Sequence, residues 1–330
     1  MNLQQLSRRR FMVTFGGLLL TSSISACAWR FNKPITIAAH VWPGYEPMFL
    51  AQRENWLDTQ QVRLMQTASA TESVQALAAG SIDGAALTLD ETLKARAAGI
   101  PLSVVLVFNI SAGADMLLVN ANIKSLADLK GRRIGFEQSS VGELFLAEVL
   151  QTAGLEKSEV KLVALTVDQQ VESWTHQRIE AVVSYEPVAS QLQALGAFKL
   201  FDSRLIPNTI VDVLAIRSDI LDYRHSSAIR HLINAHFRAL EHINQNSQDA
   251  SYRMATHLGL PADEVLPAFK GLVLPNAANN YRLFAGASPT LLANARHLSN
   301  TMVKNALLTQ HDRLDGLIRA DFLPTDFQNN

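Results

Sequence analysis

The feature that most limits what this chain can fold into is a rhythm. Short β-prone runs alternate with helical stretches from Ile35 to Val119, alternate again from about Asn120 to Ile210, and give way after Ser218 to almost unbroken helical patterning. Strands separated by crossover helices mark a parallel sheet covered by helices. In the first unit residues 35–39 and 62–65 read as strands around a helix over 48–56. A helix over 73–79, a buried run at 85–87, a helix over 91–98 and the strongly β-prone 102–108 follow. The second unit offers strands at 133–136, 160–165, 181–183 and 198–201, with helices starting near Val141, Val171 and Val188, and 210–216 is a further strand. Two α/β units and a tail that must cover one of them predict a bilobed α/β chain. Its lobes are residues 35–118 plus 213–330 and residues 119–212, joined by two crossovers, one near Met116–Asn120 and one near Ile210–Leu214. A single larger doubly wound sheet is the competing architecture. Two crossovers make a hinge, and the cleft between hinged lobes is the natural seat of a ligand.

Residues 1–27 read as an address, not as fold. Arg8-Arg9-Arg10-Phe11 opens an uncharged run that ends at Cys27, the chain's single cysteine. A twin-arginine pair before an apolar run too short to span a bilayer is the pattern of a Tat-type signal peptide. The stretch Ile24-Ser25-Ala26-Cys27 fits a lipobox, with lipidation at Cys27, and Ala26-Cys27-Ala28 also satisfies ordinary signal cleavage. The expected location is periplasmic, with a membrane-anchored lipoprotein tethered through residues 28–34 as one form. Either reading excludes a disulfide framework. The formal charge of −1 becomes −4 once the three arginines of the leader are removed, which argues against a nucleic-acid partner.

In open α/β lobes ligands bind beyond the carboxyl ends of strands. The loop after the first strand carries Trp42, Tyr45 and Glu46, two aromatic faces and a carboxylate within five residues. Ser139 and Ser140 precede a helix, where hydroxyls and free N–H groups seat an anion or simply cap the helix. Asp90 is a ligand contact, a cap on the helix from Glu91, or both. Tyr185 stands at a strand end facing the cleft, and Glu186 beside it is a contact or a first-turn acid that complements the helix dipole. Asp212, inside an apolar run, must be paired, solvated by a cleft or bonded to a ligand. Catalytic and metal signals are poor. His231, His236 and His242 share a helix at spacings of five and six, which do not stack on one face. No metal, no cofactor and no enzymatic activity are expected.

Residues 41–47 (Val-Trp-Pro-Gly-Tyr-Glu-Pro), the turn 80–85, the segment 129–135 (Leu-Lys-Gly-Arg-Arg-Ile-Gly) and Tyr185-Glu186-Pro187 are similar to the nitrate/sulfonate/taurine-type substrate-binding proteins of ABC importers. The resemblance covers about 34–308. It implies the bilobed periplasmic-binding-protein-like fold and a monomer that captures a small solute for an ABC permease in the inner membrane. It also implies a cleft formed by Trp42, Tyr45, Asp90, Ser111 to Asp115, Ser139, Ser140, Tyr185 and Glu186, with Asp212 on the return crossing. The chain departs from a nitrate or sulfonate binder in its charge: Glu46, Asp90, Asp115, Glu186 and Asp212 stand there without a Lys or Arg. The expected solute is therefore an amine, a zwitterionic sulfonate such as taurine, or a nitrogen heterocycle related to thiamine precursors; if some of the carboxylates are only caps, a sulfonate on the Ser139–Ser140 helix end is the other option. A thiamine-precursor-related enzyme of the same fold and a membrane-tethered ligand sensor are the alternatives.

Overall fold

The computed structural model describes residues 33–138 and 141–325. The leader, Cys27, Ser139 and Ser140 lie outside the described residues.

Two separate sheets replace the single large sheet of the competing reading. The first has six strands in the order β11-β4-β10-β3-β1-β2. Here β1 is Ile35–His40, β2 Val62–Thr67, β3 Gly84–Thr88, β4 Leu102–Ser111, β10 Val211–Arg217 and β11 Leu272–Val273. β1 runs parallel to both β2 and β3, whereas β10 enters antiparallel between β3 and β4. Every residue of β3 is buried, as expected of a strand inside a sheet covered on both faces. Alternation along β1 sends Ile35, Ile37 and Ala39 to one core and Ala38 to another. The first core is shared with α1 (Glu46–Arg53) and the tail helices, the second with α2 (Ala70–Ala78) and α3 (Leu89–Ala97).

The second sheet runs β7-β6-β8-β5-β9, with β5 at Met116–Val119, β6 Arg133–Phe136, β7 Lys161–Ala164, β8 Ala181–Ser184 and β9 Phe198–Asp202. β5 pairs antiparallel with β8 and β9. Leu117 and Val119 pack on α4 (Val141–Ala153), while Met116 and Leu118 face α6 (Val188–Ala194), with α5 (Gln170–Thr175) on the same side. The described tail is chiefly helical: α7 (Ser226–Gln245), α8 (Ser247–Leu258), α9 (Ala262–Ala268), α10 (Ala277–Phe284) and α11 (Thr290–Lys304). It closes against the first sheet, where the Val104 N–H donates to the Leu317 carbonyl at 2.6 Å.

Sheet pairing moves both crossings from their expected places. Met116–Val119 belongs to the second sheet, and Val211 and Asp212 already belong to the first. Only Ala112-Gly113-Ala114-Asp115 separates the long, mostly apolar β4 from the four apolar residues of β5, so the sequence marks the break with no more than Gly113 and Asp115. The two crossing segments lie side by side. Ser111 N–H donates to the Ile210 carbonyl at 3.0 Å, Gly113 N–H to Ser203 Oγ at 2.6 Å, and Ser203 N–H to the Asp115 carbonyl at 2.9 Å.

Candidate functional site

Between the two sheets a pocket is lined by His40, Trp42, Tyr45, Thr88, Glu91, Asp115, Val141, Tyr185, Ile210 and Asp212. Its cavity measures about 10 Å³, on the order of one water molecule. His40 ends β1, Thr88 ends β3 and Tyr185 follows β8, so the carboxyl ends of strands from both sheets meet here, as the topology of open α/β sheets requires. Three aromatic contacts build the wall. His40 lies edge-on to Tyr45 at 5.3 Å between centroids, and Trp42 lies edge-on to Tyr185 across the cleft at 5.2 Å. His40 also meets Tyr185, tilted, at 5.7 Å.

The floor is a hydrogen-bonded network around Asp212, which is 3% exposed. Tyr45 OH donates to Asp212 Oδ1. With its amide oriented to satisfy both neighbours, Asn109 donates to Asp212 Oδ2 at 2.8 Å and accepts from Trp42 Nε1 at 3.2 Å. Gly44 makes this possible: a Cβ there would stand 1.9 Å from the end of the Asn109 amide and 2.6 Å from Trp42 Nε1. Asp212 is thus paired within the first lobe, and Trp42 is held in place through it.

Charge in the pocket is one-signed. No Lys or Arg is among its lining residues. Burial raises Asp115 to about 7, with the charge of Asp90 adding to it and a Ser111 hydrogen bond opposing it. Burial and then the neighbouring Asp90 carboxylate raise Glu91 to about 8. Burial also pushes Asp212 well above the ordinary carboxylate range against the Tyr45 hydrogen bond, and it lowers His40 to about 4, so the imidazole is neutral. Two buried lining atoms have no hydrogen-bond partner, Asp115 Oδ2 and His40 Nδ1. Buried polar groups are almost always satisfied, so these two atoms are open to a water or to a polar group of a solute.

Of the residues expected at the site, the structure brings Trp42, Tyr45, Asp115, Tyr185 and Asp212 together. Others it sends elsewhere. Glu46, fully buried at the start of α1, pairs with Arg53 and with His257 Nδ1 of α8, because its helical phase points it into the α1–α8 contact. Ser111 is consumed at the crossing, its Oγ 2.7 Å from Ser203 Oγ and accepting from Asp115 N–H at 3.2 Å. Glu186 accepts from Ser190 N–H at 3.1 Å in the first turn of α6, the dipole-complementing alternative. Asp90 is buried and is not among the lining residues. The cap of α3 is instead the Thr88–Glu91 capping box. Sequence reasoning passed over His40, Thr88 and Glu91. His40 and Thr88 end β1 and β3, so the strand-end rule that selected Trp42 and Tyr45 applies equally to them.

No described helix is long and apolar enough to cross a membrane. A curated relative from Brucella abortus, named as a binding protein, is 28% identical over 125 residues, 36% of this chain and 37% of its own length. An Escherichia coli protein that bears the name of an aliphatic sulfonates-binding protein is 25% identical over 199 residues, 58% of this chain and 62% of the relative. The chain therefore spans little more than a third of the first of these relatives and three fifths of the second. Among solved structures, the alkanesulfonate-binding protein of Xanthomonas axonopodis bound to MOPS superposes with a TM-score of 0.73 at 17% identity, covering 88% of this chain and 99% of that one. At that identity the likeness speaks for fold alone, the two-lobed fold of periplasmic binding proteins. The family model described as NMT1/THI5 like matches residues 42–250, and the chain belongs to that family.

Proposed function

We propose that this chain is the extracytoplasmic solute-binding component of an ABC importer, and that it takes a small solute carrying N–H donors or a positive charge into the pocket between its lobes. One lobe is residues 34–111 with 211–325, the other 116–202, and the paired crossing segments serve as the hinge. The binding-protein names of the relatives and the shared fold support the class of function. The observation that carries the solute class is a pocket walled by Glu91, Asp115, Asp212 and four aromatic or imidazole rings, without a cationic side chain. Rings cover a cation or stack on a heterocycle, and an unsatisfied carboxylate oxygen asks for a donor. An amine, an amino-substituted heterocycle or a zwitterion such as taurine suits this chemistry. A bare sulfonate or nitrate brings no positive charge of its own, so the acids it is buried against would have to stay protonated to avoid like-charge repulsion.

Capture proceeds by closure. A cavity of about 10 Å³ admits no solute beyond water until Tyr185 and Val141 withdraw from Trp42 and Glu91. Contacts to both walls then offset the cost of ordering the closed form. The leader places the protein outside the cytoplasm, beside a permease, and lipid on Cys27 keeps it at the membrane. A thermal-shift screen of primary amines, amino-heterocycles and alkanesulfonates tests the reading, because a solute that binds the folded state raises its melting temperature. Stabilisation by the first two classes and not by alkanesulfonates is expected. Stabilisation by alkanesulfonates alone would sink the proposed solute class.

A further inference from the structure

Glu91 stands in two places at once. It lines the pocket, and its side chain is the one among the described lining residues with a recorded hydrogen bond to the opposite lobe. Oε2 closes the capping box by accepting from Thr88 N–H at 2.8 Å, and Oε1 accepts from Val141 N–H, the first residue of α4, at 3.3 Å. A carboxylate at a helix N-terminus meets both an orphan N–H and the positive end of the helix dipole. One turn along α3, on the same face by the three-residue spacing, Lys94 reaches Glu143 of α4 at 2.6 Å, both side chains about 20% exposed. Beyond α3, Thr71 N–H donates to Glu137 Oε1 at 3.1 Å, again from first lobe to second. The three contacts form one seam. Only its inner end, Glu91, touches the solute's space.

The start of α4 is fixed within its own lobe: a Cβ added at Gly142, next to Val141, would come within 2.9 Å of the Glu137 backbone nitrogen. Val141 and the Glu137 that Thr71 bonds are therefore one closely packed part of the second lobe, and Glu91 meets that part at Val141.

We infer that Glu91 is the positioning residue that couples the pocket to lobe closure: it holds the N-terminus of α4 against the first lobe, and the Lys94–Glu143 pair outside it completes the latch. The inference rests on the capture reading for its purpose, yet it concerns closure itself. Its test uses no solute, so its failure and a failure of the solute screen are separate results.

The full chain is measured by amide hydrogen exchange at Val141, by solution scattering for the radius of gyration, and by thermal melting. Glu91→Ala removes both acceptors; Glu91→Gln keeps one carbonyl oxygen near Val141. Lys94→Glu breaks the outer pair, and Lys94→Glu with Glu143→Lys restores it in reverse. The latch predicts that Glu91→Ala speeds exchange at Val141 by about tenfold or more and enlarges the radius of gyration, with Glu91→Gln intermediate. It also predicts that Lys94→Glu enlarges the radius and the double swap returns it to the wild-type value. A Glu91 that only caps α3 gives a different pattern. Melting falls and the Thr88 amide loosens, while Val141 exchange and the radius of gyration stay at their wild-type values in both Glu91 variants; that pattern overturns the inference. If Glu91→Ala does not fold, the isosteric Glu91→Gln with the charge swap decides: unchanged exchange and radius in all three overturn it.

Discussion

Asp212 shows how far a single residue can be read. Its place in an apolar run announced a buried carboxylate needing a partner, and the structure supplies two, Tyr45 OH and Asn109. That its partners come from β4 and from the turn after β1 was not legible, because a strand's pattern fixes which face a side chain takes and not who stands opposite. Glu46 is the converse case. Its position in the loop after β1 suggested the cleft, but helical phase turned it toward Arg53 and His257. Gly44 is the residue on which the pocket floor most depends. Gly44→Ala must displace Asn109, releasing both Asp212 and Trp42, since the added Cβ would overlap the Asn109 amide. Overpacking of this kind costs about 1–3 kcal/mol. The expected result in thermal melting is a fall of several degrees, with solute-induced stabilisation reduced or lost; an unchanged melting curve would mean that the floor is looser than described.

At the scale of elements, the alternation of strand and helix was legible because its signal is hydrophobic periodicity, and β1, β2, β3, β6, β8 and β9 lie close to their expected places. The misplaced element is β5. Sheet assignment depends on pairing with β8 and β9, residues far along the chain, and a four-residue break between two apolar runs marks a turn without saying that the sheet changes. Helix α3 was seen as well, but as a capped helix near a ligand loop; its part in the cleft follows from Glu91 facing α4. The acids of this region give stability a definite pH slope. Asp115 at about 7 and Glu91 at about 8 are raised by burial above their unfolded values near 4. Between those limits the native state holds more protons than the unfolded one, and stability falls as pH rises. His40 at about 4 and His236 at about 3, both lowered by burial, act in the opposite sense below about 6.5 and are silent above it. Asp202, held at about 2 chiefly by Arg204, loses its contribution only in stronger acid. The clean window is therefore about pH 6.5 to 8. Without added solute the melting temperature should decline across that window, and Asp115→Asn should flatten the decline; a rise across it would contradict the charge assignment.

For the whole molecule, the order of its parts was legible and its interfaces were not. Two units and a tail follow from the rhythm of the sequence, whereas the seam of Thr71 with Glu137, Glu91 with Val141 and Lys94 with Glu143 joins residues about 50 to 66 positions apart and has no local signature. The same architecture explains why the pocket can be so acidic. Closing it over carboxylates in a low dielectric is unfavourable unless positive charge enters with it, and that charge is a proton when no cation is present and the solute's own when one is. Binding of a cationic solute should then release protons and tighten as pH rises from 6 to 8. The claim beneath all of this is that the solute presents its donor to the acids between the two lobes. A crystal structure of the chain grown with the most stabilising amine tests it most directly. The account predicts the amine between Trp42 and Tyr185 with its nitrogen at hydrogen-bond distance from Asp115 Oδ2. Solute bound outside this cleft, or a sulfonate seated there in an amine's place, would contradict it.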